Sequence, residues 1–63
     1  MVVQFHDNVA GSPVYLNPEY VVSVRPDPEN PDHSTLVKLE DGEHLRVRGE
    51  HTDVAKKLAS RAA

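Results

Sequence analysis

The side chains able to do chemistry in this chain of 63 residues are four histidines, seven lysines and arginines, and ten carboxylates, with no cysteine. His6, His33, His44 and His51 form no His-x-His or His-x-x-x-His pair. Without thiolates to complete a tetrahedral set, zinc binding is not expected. Ser12, Ser23, Ser34 and Ser60 lie in no nucleophile-elbow context, and no glycine-rich phosphate loop is present. A core this small also leaves little room for a substrate pocket of ~300 Å³ or more. The chain therefore reads as a nonenzymatic protein with no cofactor.

The one cluster with a chemical direction is basic. Lys38, His44, Arg46 and Arg48 alternate with apolar residues on two consecutive segments, so cross-strand geometry places them on one exposed face. Such a face suits phosphate oxygens, and the competing reading is solvated strand positions partly neutralised by Glu40, Glu43 and Glu50. Net charge is -3 with histidines neutral. Nonspecific nucleic-acid affinity rests on phosphate neutralisation, so an acidic chain ranks DNA second to a protein partner. The charge is uneven: residues 1–37 carry one base, Arg25, against five acids, and residues 38–63 carry six bases against five acids.

The elements that position this cluster follow from periodicity. Thr35-Leu36-Val37-Lys38-Leu39 and Leu45-Arg46-Val47-Arg48 alternate with the period of half-buried strands. A two-residue Asp41-Gly42 turn would pair Lys38 with Leu45 and mix the faces. A three-residue loop, Glu40-Asp41-Gly42, sets Val37 against Leu45 and Thr35 against Val47, with Gly42 in the left-handed position. After Val47 a helix begins near Gly49 or Glu50. Val54, Ala55, Leu58, Ala59 and Ala62 give it an apolar stripe at helical period. Glu50 and Asp53 at its start and Lys56, Lys57 and Arg61 near its end complement the helix dipole.

Upstream, Met1 to His6 reads as a strand with Val3 and Phe5 on one face, and Asp7 to Pro13 as turn material. Val14-Tyr15-Leu16 closes a loose hairpin. Asn17-Pro18 is an N-cap followed by a proline suited to the first helical position. Tyr20-Val21-Val22-Ser23-Val24 is apolar on both faces, which predicts a central strand. Pro26 to Ser34, with three prolines and three acids, predicts a protruding polar connector, with a partner contact as the sharper alternative. Phe5, Tyr15 and Tyr20, the only aromatic residues, are the expected core anchors.

The result is a single domain, residues 1–63, of the α+β class: a mostly antiparallel sheet of about five short strands with one C-terminal helix packed on a face. At this size a single core barely offsets chain entropy, so self-association into a homo-oligomer is expected. No apolar run approaches the ~20 residues of a membrane span. The N-terminus lacks the basic and apolar regions of a signal peptide, so a cytoplasmic location is the default.

Leu16-Asn17-Pro18-Glu19 leading into Tyr20-Val21-Val22-Ser23-Val24, then Thr35-x-Val37-x-Leu39-x-x-Gly42, then Leu45-Arg46-Val47-Arg48 and a terminal helix resembles the small bacterial flagellar and swarming-motility protein family over nearly the whole chain. The Pro26–Ser34 loop is longer than that family's usual connection, and Gly49-Glu50-His51 replaces its polar or acidic lead into the helix. The resemblance implies a cytoplasmic accessory or regulator of flagellar function acting through contacts, with no catalytic residues. Residues 16–58 also resemble the closing part of LytTR-type DNA-binding domains, which implies DNA contacts by Arg46 and Arg48. The strands that precede this part in such domains are missing here.

Overall fold

Alternation drives the first hairpin. In β1 (Val3–His6), Val3 and Phe5 are buried while Gln4 and His6 face solvent, and β2 (Pro13–Leu16) pairs with it antiparallel, Val3 opposite Leu16 and Phe5 opposite Val14. The computed structural model describes residues 2–62, with side chains to Ala59. Met1, predicted at the start of the strand, and the Arg61 and Ala62 side chains predicted on the helix lie outside the described residues. The Asp7 carboxylate holds the connection, accepting the N–H groups of Val9 at 2.8 Å and Ala10 at 3.1 Å. Asn17 caps a 3-10 turn, Pro18–Tyr20, its Oδ1 accepting the Glu19 N–H at 3.0 Å with proline where a missing donor is harmless.

The second half forms a three-stranded antiparallel sheet in the order β3 (Val21–Pro26), β4 (Ser34–Leu39), β5 (His44–Arg48). The β4–β5 register sets Val37 opposite Leu45 and Thr35 opposite Val47, as the three-residue loop requires. The loop closes with the Leu39 N–H on the Glu43 carbonyl at 2.8 Å and the Gly42 N–H on the Leu39 carbonyl at 2.9 Å. Gly42 has φ +92°.

Three expectations need correction. The five strands divide into two sheets, joined where Asp7 bridges Val47 and the Asn8 N–H meets the Arg46 carbonyl at 2.8 Å. Second, β3 is an edge strand and β4 is the central one. The Val21-Val22 doublet marks a register shift: Val21 faces Leu39, Ser23 faces Lys38, and Val22 between them is the extra residue, 59% exposed. Pro26 has no ladder donor and is tolerated at such an edge. Third, only Phe5 of the aromatic residues anchors the core; Tyr15 and Tyr20 are 60% and 56% exposed.

The helix α1 (His51–Ala62) starts one or two residues later than predicted, behind Gly49 at φ +122°, with the Glu50 carbonyl accepting the Val54 N–H at 3.0 Å. It packs against β1, β3, β4 and the 3-10 turn. Val54 and Leu58 enter a core completed by Val3, Phe5, Leu16, Val37 and Val47. The buried Thr35 hydroxyl donates to the Gly49 carbonyl at 2.8 Å, tying the lead into the helix to the central strand. Lys57 reaches back across β1, donating to the Gln4 carbonyl at 2.7 Å with its ammonium 4.8 Å from the centre of the Phe5 ring.

Candidate functional site

Because side chains alternate across β4 and β5, the outer face of the three-stranded sheet carries Lys38 opposite His44, Leu36 opposite Arg46, and Ser34 opposite Arg48. The four predicted residues do share this face. Lys38, His44 and Arg48 are exposed, whereas Arg46 is half-buried and engaged. Its Nε lies 3.4 Å from Asp27 Oδ2, and its terminal nitrogen donates to Glu29 Oε2 at 3.3 Å. The acids that meet the stripe come from the proline-rich segment, not from Glu40, Glu43 or Glu50. That segment is accordingly no free projection: its Asp27 end folds back over β5.

Asp27 is 3% exposed, which fixes the geometry of the pair. Its Oδ1 accepts the Glu29 N–H at 3.0 Å in an Asx turn set by the prolines on either side. That N–H is the main reason the carboxyl is held below its ordinary range. Desolvation pushes the other way, and the Ser34 hydroxyl and the Arg46 charge add to the lowering. The Ser34 oxygen is buried with no partner in hydrogen-bond geometry, so it acts on Asp27 only as a nearby dipole. A lowered folded-state pKa means stability that is present above the unfolded value, ~3.9 for Asp, and lost as pH falls through the folded value. Asp7 behaves in the same way, lowered by the Ala10 and Val9 N–H groups.

Among the described residues, no three histidine, aspartate or glutamate side chains come together as metal ligands. His6, His33 and His44 are exposed, while His51 is half-buried with its Nδ1 enclosed and unpaired. Open clefts larger than the size argument anticipated do exist, because they form at element boundaries and not within the core. One of about 440 Å³ is lined by Asp7, Val9, Leu36, His44, Leu45 and Arg46. A second of about 440 Å³ lies between Tyr20, Leu39, Glu40 and Asp41.

Residues outside the basic stripe define a second surface. Val22 and Tyr20 stand exposed beside the outer edge of β3, which nothing pairs among the described residues. Beneath that edge an apolar cleft of about 230 Å³ runs between Pro18, Val21 and Val24 on one side and Ala55, Leu58 and Ala59 on the other. Sequence reasoning missed this surface, because the Val21-Val22 doublet reads the same for a central strand and for a bulged edge. Its one trace was the helical stripe, whose Ala55 and Ala59 stay exposed.

No family model, curated protein or solved structure matches this chain. No described helix is long and apolar enough to cross a membrane.

Proposed function

We propose that this chain is a nonenzymatic protein-interaction or regulatory module that works as a homo-oligomer. The observation that carries the reading is the unpaired edge of β3 with Val22 and Tyr20 exposed beside it. Exposed strand edges are templates for pairing with another chain, and here Arg25, Pro26 and the bulge at Val22 shorten the open stretch to the segment around Val24. The core points the same way, since among the described residues it holds seven buried apolar side chains. A cytoplasmic accessory role in flagellar motility is the pathway proposed, on the strength of the Leu16–Glu19 and Thr35–Gly42 motifs alone.

DNA binding through Arg46 and Arg48 is the competing reading. Against it stand the net charge and the ion pairing of Arg46 by Asp27 and Glu29, which removes one cation from the stripe before any phosphate arrives. Titration of duplex DNA at several salt concentrations separates the two. The module reading expects no salt-dependent binding. Tight binding whose salt slope falls when Arg46 and Arg48 are both replaced by alanine would establish the DNA reading instead, since each lost phosphate contact removes part of the counterion release.

A further inference from the structure

We propose that Asp41-Gly42 is a covalent modification site, at which the folded chain converts its own backbone to isoaspartate through a cyclic imide and so loosens the β4–β5 hairpin. This modification needs no partner and goes beyond the reading of the chain as an interaction module.

Imide formation needs a carboxyl that can reach the nitrogen of the next residue, and a next residue that leaves that nitrogen open. The chain has five aspartates, and only one meets both conditions. Asp27 precedes Pro28, which has no N–H. The nitrogen after Asp53 belongs to Val54, which is β-branched, 2% exposed and held in the first helical turn by the Glu50 carbonyl at 3.0 Å. Asn8, after Asp7, gives its N–H to the Arg46 carbonyl at 2.8 Å where the two sheets join, and the Asp7 carboxylate is itself occupied by the Val9 and Ala10 N–H groups. After Asp32 the nitrogen carries the His33 side chain and bonds the Asn30 carbonyl at 3.2 Å. Asparagines react in the same way with loss of ammonia. Of these, Asn17 and Asn30 precede prolines and Asn8 precedes the β-branched Val9.

Asp41 differs on each count. It is exposed, and nothing lies within 4 Å of the place a Cβ on Gly42 would take, so no side chain shields the Gly42 nitrogen. Its Oδ1 accepts the Glu43 N–H at 2.9 Å, which folds the carboxyl forward over the Gly42 peptide between them. One bond restrains the nucleophile, from the Gly42 N–H to the Leu39 carbonyl at 2.9 Å. It sits in an exposed turn at the end of a hairpin, where local opening costs least. Reaction therefore waits on opening of the turn and not on global unfolding.

In the opened turn the Gly42 nitrogen attacks Asp41 Cγ. The new C–N bond closes a five-membered ring, and the hydroxyl of the protonated carboxyl leaves with the nitrogen's proton as water. One water then adds back across either C–N bond of the ring. Opening at the side-chain carbonyl restores Asp41, whereas opening at the main-chain carbonyl leaves the chain running through Cβ and Cγ, with no net change in mass. The isoaspartate puts an extra main-chain atom into a loop whose length sets the register of β4 against β5. It also removes the carboxylate from the place where Oδ1 held the Glu43 N–H. The Leu39 N–H and the Glu43 carbonyl, 2.8 Å apart in the unmodified loop, are then held at the wrong spacing.

Wild-type protein stored at neutral pH and physiological temperature, then digested with an endoproteinase that cuts before aspartate but not before isoaspartate, tests the site. Peptides intact across residue 41 and unchanged in mass should accumulate with time, while cleavage before Asp7, Asp32 and Asp53 stays complete. The same peptides should accumulate faster in urea, and the melting temperature of the stored folded protein should fall as they grow. Asp41→Glu, whose longer side chain would have to close a six-membered ring, should keep its own melting temperature through the same storage. Complete cleavage before Asp41 in stored folded protein, or resistance arising first at another aspartate, would overturn the site. Equal rates in folded and urea-unfolded protein would overturn its gating by the turn. A melting temperature that falls equally in Asp41→Glu would overturn the coupling to the hairpin.

Discussion

Phe5→Ala should remove a large share of the folding stability of the chain at 25 °C. Phe5 is 5% exposed and is the only aromatic side chain in the core, where Val3, Leu16 and Val54 belong to the same cluster. Removing a buried phenyl ring costs about 3–5 kcal/mol, as lost transfer energy and an unfilled cavity. A domain of this length has a total of about 3–9 kcal/mol at ~0.05–0.15 kcal/mol per residue. The substitution also takes away the ring beneath the Lys57 ammonium. Tyr15→Ala, at a site 60% exposed, is the matched control and should shift stability by within about 0.5 kcal/mol. Urea unfolding followed by circular dichroism checks both. A cooperative transition for Phe5→Ala near the wild-type midpoint would show that the core is centred elsewhere.

Gly42→Val carries the next largest expected effect, a loss on the order of 1–3 kcal/mol. A Cβ at Gly42 would meet nothing within 4 Å, so no clash contributes. The cost is the positive φ of +92°, which a β-branched residue adopts only with strain. The prediction therefore has an internal control: Gly42→Asn, a residue that tolerates positive φ, should cost less although its side chain is no smaller. Equal melting temperatures for Gly42→Val and the wild type would refute the left-handed turn on which the β4–β5 register depends.

What could be read in the sequence was local. The Glu40-Asp41-Gly42 loop, the Asn17-Pro18 cap and the stripe of Val54 and Leu58 each depend on neighbours a few residues away, and each stands where spacing placed it. The failures share a physical cause: they needed contacts between distant segments. Val21-Val22 is apolar on both faces whether a strand is central or bulged at an edge, and only pairing with β4 tells the two apart. Tyr15 and Tyr20 have the composition of core residues, but strand parity turns Tyr15 away from the Phe5 side. Tyr20 ends the 3-10 turn at the sheet's margin.

The basic stripe was legible as a face but not as a charge distribution. Arg46 lies 17 residues from Glu29 along the chain, and nothing in the alternation of β5 foretells that the proline-rich segment would fold back to meet it. Prolines read as breakers; here they also preset the Asx turn in which Asp27 accepts the Glu29 N–H and turns its second oxygen to the guanidinium. Exposure of Val22 beside an open edge was equally hidden, because it follows from the sheet ending at β3.

Self-association, as proposed, completes the small core of this fold. Sedimentation equilibrium of the wild type across the micromolar range, paired with thermal melts at the same concentrations, tests it most directly. The expected result is a dimer and a melting temperature that rises with concentration, because mass action stabilises whatever binds only the folded chain. A monomer at every concentration, with a cooperative melt that does not move, would contradict it.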